Sequence, residues 1–111
     1  MKSTFYANLG PIKLSQIVNV TSAEIMGLDH NKQFNEILGL EDIQNIQNTD
    51  DTITFVYENY KKKLNLPKNL NLVISKHEKN KFLDFKNLII AENVHESVAK
   101  LSSLFYRDIN D

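Results

Sequence analysis

The chain has 111 residues, the length of one domain. It carries 41% hydrophobic and 24% charged residues, the balance of a soluble globular protein rather than a disordered one. The absence of cysteine excludes disulfides, thiolate metal sites and cysteine nucleophiles. Thirteen basic residues against fourteen acidic ones give a formal net charge of -1, without the basic excess of a duplex nucleic-acid binder. The start Met1-Lys2-Ser3-Thr4 lacks the apolar run of a signal peptide. The longest apolar stretches, such as Leu88-Ile89-Ile90-Ala91, fall far short of the roughly 20 residues that a spanning helix needs. A cytoplasmic protein without membrane insertion is the expectation.

Gly10-Pro11 ends a flexible start. Leu14, Ile17 and Val18 are spaced for one helical face and predict a helix over 13–20. Ala23 to Met26 reads as a short strand closed by Gly27, and 28–33 as a polar loop. Phe34 to Leu38 reads as a second strand ended by Gly39. Leu40, Ile43 and Ile46 suit a helix face, and the cluster 48–51 suits a turn. Thr52 to Val56, β-branched and aromatic, is a strong strand signal. Glu58 to Leu66 reads as a short polar helix stopped by Pro67.

Leu70 to Ile74 and Asn87 to Ile90 read as strands, the second an apolar run of the kind buried on both faces. Ser75 to Asp84 is a charged connection between them. A helix is predicted from about 93 to 106, capped by Asn93, with Glu96 three residues on and Val94, Val98, Leu101 and Phe105 as its apolar stripe. The interleaving predicts a single α/β domain with a small mixed sheet of about five strands flanked by helices.

His30, His77 and His95 match no local metal-ligand spacing, and each sits among polar neighbours as a surface histidine does. No nucleophile elbow and no glycine-rich phosphate loop is present. Asp50-Asp51 and Glu41-Asp42 read as a turn and a helix start, and Lys61-Lys62-Lys63 as a solvated helix face. No catalytic residue, metal or cofactor is expected. The segment Thr54 to Tyr60 differs: it leaves a strand with three aromatic rings, an amide and a carboxylate. The carboxyl ends of strands in α/β sheets are where ligands bind. An aromatic ring with an Asn amide can hold a planar base by stacking and hydrogen bonds. The plainer reading makes Phe55 core, Tyr57 and Tyr60 half-buried covers, and Asn59 a helix cap.

The order of segments resembles the N-terminal domain of UDP-3-O-(3-hydroxyacyl)glucosamine N-acyltransferase, an enzyme of bacterial lipid A biosynthesis. The resemblance spans most of the chain. It runs through Phe5 to Pro11, Lys13 to Ile17, Ala23 to Gly27, Ile53-Thr54-Phe55 with Asn59-Tyr60, Asn71 to Ile74, Asn87 to Ile90, and Ala91 to Phe105. It implies one uridine-binding domain over residues 1–111 that helps bind the UDP-sugar acceptor and does not perform acyl transfer. The family pattern Phe-x-x-Asn-x-x-Tyr places aromatics on the uracil ring and an amide on its polar edge. Phe55 fits the first position, Glu58 stands at the fourth and Lys61 at the seventh, with Asn59 and Tyr60 next to the expected places. The resemblance therefore implies uracil contacts from Phe55, Asn59 and Tyr60, with Glu58 beside them.

In the family a β-helix of hexapeptide repeats follows, with the catalytic histidine, the acyl carrier protein surface and the trimer contacts. That domain is absent from this sequence, so an isolated chain is expected to be a non-catalytic monomer that binds UDP-sugar weakly. Two alternatives stay open. One is a stand-alone protein-interaction module that kept the fold and lost the nucleotide. The other is an unrelated small α/β protein whose aromatics are all core.

Overall fold

Four strands of the chain lie in parallel, each added beside the last. The structure is a computed structural model and describes residues 6–8, 11–40, 42–43, 48–58 and 66–108. The elements in chain order are β1 (Tyr6–Asn8), β2 (Ile12–Lys13), α1 (Leu14–Thr21), β3 (Glu24–Met26), β4 (Gln33–Phe34), β5 (Glu36–Gly39), β6 (Thr52–Phe55), β7 (Asn71–Ser75), a 3-10 helix (Lys76–Phe82), β8 (Asn87–Ala91), α2 (Val94–Phe105) and β9 (Tyr106–Asp108). The main sheet has the order β3-β8-β7-β6-β5. Strands β5 to β8 run parallel, and β3 closes one edge antiparallel to β8. This is the α/β domain with a mixed five-stranded sheet that the interleaving predicts.

The register explains the apolar runs. Phe55, Val73, Ile89 and Ile25 are neighbours across the sheet and point to the face covered by α1 and α2. Leu38, Thr54, Leu72 and Leu88 alternate with them and point to the other face. That second face is covered by the crossover segments, through Ile43, Val56, Leu70, Phe82 and Phe85. Strand β7 is buried at every position because both faces are covered, which removes any polar alternation from its sequence.

Helix α2 starts at Asn93, whose Oδ1 accepts the Glu96 N–H at 3.0 Å. Its buried side chains are Val94, Ser97, Leu101 and Phe105, and Val98 is half-buried. The buried stripe is thus turned slightly from the expected one: the small Ser97 is buried within it, and Val98 sits at its margin. Leu101→Ala is expected to cost about 2–5 kcal/mol, the range for emptying a fully buried leucine. Val98→Ala removes less volume, reaches water, and is expected to cost about 1 kcal/mol. Urea unfolding of both variants checks this, and equal losses would refute the assigned face.

Two expectations need correction. The start is not free: β1 pairs antiparallel with β9, Ala7 opposite Arg107, so residues 6–8 are anchored by the strand after α2. No turn signal marks this pairing, because its partner lies at the other end of the chain. The run Phe34 to Leu38 is two strands that part at Asn35: Phe34 pairs with Ile12, and Ile37 pairs with Ile53. The Asn35 N–H donates to the Asp51 carbonyl at 2.7 Å, which redirects the chain between the two sheets. The connection after β7 is a 3-10 helix, started by the Ser75 hydroxyl accepting from the His77 N–H at 3.1 Å. The expected helix over 58–66 lies mostly outside the described residues, as does much of that over 40–46.

Candidate functional site at the carboxyl ends of the parallel strands

The two ends of the parallel strands are built differently. At the amino ends, asparagines open β7 and β8 side by side in register. Asn71 is 2% exposed, and its Nδ2 donates to the carbonyls of Thr49, Asp50 and Thr52 at 3.2, 3.1 and 3.0 Å. Asn87 Nδ2 donates to the Asn69 carbonyl at 3.1 Å. These amides tie the segments that lead into β6 and β7 to the starts of the neighbouring strands. This end is committed to holding the fold.

The carboxyl ends carry rings instead. Phe55 ends β6, half-buried, and its ring extends over Gly39 at the end of β5; a Cβ on Gly39 would stand 3.6 Å from Phe55 Cζ. Tyr57 follows two residues on, half-buried, with its ring centroid 5.1 Å from that of Phe55 at a 51° tilt. Both rings pack against the core shared by α1 and α2. His95 lies flat on Tyr57, with centroids 3.9 Å apart and planes 5° from parallel. It belongs to the first turn of α2, directly after β8, and is exposed. The order Phe55, Tyr57, His95 makes a ladder of three rings from the sheet core to solvent.

Two ion pairs lie on the elements that leave the strand ends. Lys76 pairs with Glu92 at 3.4 Å, and Lys100 with Glu96 at 3.1 Å. Both pairs are solvent-exposed, so each contributes at most about 1 kcal/mol to stability. Glu58 is exposed in the turn after Tyr57. Its carboxylate only accepts hydrogen bonds, so it suits a ring N–H and not a carbonyl. The ladder ends in the exposed His95 ring, with the Tyr57 face beneath it. It can hold a planar ring by stacking.

Of the four residues expected at the site, Phe55 and Glu58 lie at the carboxyl end of β6. Asn59 and Tyr60 lie outside the described residues. His95 was not expected there. It stands 38 positions from Tyr57 in sequence, a separation with no periodic signal. The usable clue was its position just after the Asn93 cap, which places it where α2 meets the carboxyl end of β8. His30 and His77 are exposed and join neither ring. Among the described residues no group of three or more His, Asp or Glu side chains could hold a metal ion. No helix among them is long and apolar enough to cross a membrane. No model of a known protein family matches the chain, and neither does any curated protein.

Proposed function

We propose that the chain is a uridine-nucleotide-binding domain, of the kind that presents a UDP-glucosamine acceptor to an N-acyltransferase of lipid A biosynthesis, and that it contributes substrate binding and not acyl transfer. The observation that carries this reading is the pair of half-buried rings, Phe55 and Tyr57, held at the carboxyl end of a parallel strand. That is the end of an α/β sheet where ligands bind. Phe55 is the last residue of β6, and Tyr57 continues the ring pair two residues beyond it. Glu58 adds an acceptor for the uracil N–H.

Stacking supplies about 1–3 kcal/mol and one or two hydrogen bonds about 1 kcal/mol each. After the entropy of association this gives millimolar to high-micromolar affinity for UMP. The test is saturation-transfer NMR with UMP. Transfer to the base protons is expected in the wild type and its loss in Phe55→Ala, with the amide spectrum otherwise preserved. Undiminished transfer in Phe55→Ala would refute the assignment.

One observation favours a second reading. His95 already covers a face of Tyr57, and an imidazole on a tyrosine is a finished contact. A protein-interaction module that kept the fold and lost the nucleotide would look the same. It predicts no saturation transfer to UMP at all.

A further inference from the structure

We infer that His95 is a removable place-holder: its imidazole occupies on Tyr57 the position that a single-ring base takes, and the base binds by displacing it. This rests on the nucleotide-binding reading above and adds how the site opens. The stack has the geometry of a bound base, with planes 5° from parallel and centroids 3.9 Å apart. The two members of the stack are held very differently.

Tyr57 is fixed. It is half-buried, packed on the α1–α2 core and braced by Phe55 at 5.1 Å. His95 is exposed, and its ring nitrogens have no hydrogen-bond partner among the described residues. Its backbone is held independently, in the first turn of a helix whose cap is the Asn93 side chain on the Glu96 N–H. Rotation about the His95 side-chain bonds therefore frees the Tyr57 face without disturbing α2 or the sheet. Only the ring contact is lost, and such contacts are weak enough for a ligand to replace. An incoming base regains that contact and brings the hydrogen bonds that the imidazole does not make. In the empty protein the histidine keeps an apolar tyrosine face out of water.

The arrangement turns His95 into a competitor of the ligand, which separates it from a binding residue. Removing it must tighten binding. His95→Ala is expected to raise UMP affinity about three- to tenfold, the range set by one aromatic contact. His95→Phe stacks more strongly and is expected to weaken UMP binding. Both changes are at an exposed position, and an unchanged amide spectrum outside the site verifies the fold.

A direct readout needs no variant. The His95 ring protons are shielded by the Tyr57 ring in the free chain, and they are expected to move downfield to unstacked positions as UMP saturates. UMP binding with the His95 protons still shielded, or weakened binding in His95→Ala, would overturn the place-holder and leave uridine binding standing. Absence of UMP binding in both wild type and His95→Ala would overturn both readings.

Discussion

Asn71→Asp is expected to lower the stability of the domain at pH 7 by about 3–5 kcal/mol, the range for leaving a buried charge uncompensated. The wild-type amide donates to three carbonyl oxygens within 3.2 Å at a 2% exposed position. The replacement puts a carboxylate oxygen against those same carbonyls, with no donor to offer. Its charged form is disfavoured in the folded chain, so its folded pKa rises above the unfolded value of about 3.9. A raised folded pKa means that the folded state holds the proton more tightly. The deficit is therefore greatest at neutral pH and shrinks as pH falls towards about 4. Asn71→Leu also loses the three bonds but introduces no charge, so its deficit is independent of pH. Denaturant unfolding of both variants at pH 7 and pH 4, each against the wild type at the same pH, checks this. A pH-independent deficit in Asn71→Asp would show that the three carbonyls do not face the side chain.

Gly27→Ala is expected to cost about 3–4 kcal/mol, from two sources that add. Gly27 sits at φ +78 just after β3, where a side chain costs roughly 1–2 kcal/mol in any surroundings. The new Cβ would also fall on the Lys86 carbonyl oxygen. That oxygen belongs to backbone and cannot rotate away. Lys86 is itself tied, its N–H donating to the Lys68 carbonyl at 3.1 Å, and it leads directly into β8. Relief of the clash must therefore shift the entry of a central strand. Gly39→Ala is the control: its Cβ meets only Phe55 Cζ, at ordinary contact distance, and its φ is not positive. It is expected to change stability by less than about 1 kcal/mol. Equal losses in the two variants would refute the account of Gly27.

These two positions show what was legible in the sequence. Gly27 reads as a strand terminator, because glycine after an apolar run is a local signal. Its close approach to Lys86 is a contact between distant segments and leaves no local trace. Asn71 reads only as a residue near the start of the predicted strand Leu70 to Ile74. Its role, two N–H groups shared among three carbonyls, depends on the 48–52 segment folding back beside it. The strands β6, β7 and β8 were readable because burial on both faces yields dense β-branched runs. The capping of α2 was readable because the cap and its target are three residues apart.

Short pairings were not readable. The ribbon of β1 with β9 and the pair β2 with β4 each join two or three residues to a distant partner, too few for any periodicity. The site divides in the same way. Phe55 and Glu58 follow from the chain direction at a strand end. The Tyr57–His95 stack joins two elements that meet only because α2 begins where β8 stops.

The central claim is that the ring ladder at the carboxyl end of β6 binds a uridine base. A two-dimensional amide NMR titration of the 111-residue chain with UMP, with AMP as control, tests it most directly. The account predicts saturable shifts confined to residues 55–58 and the first turn of α2, produced by UMP and not by AMP. Equal shifts with both nucleotides, shifts elsewhere in the domain, or none at millimolar UMP would contradict it.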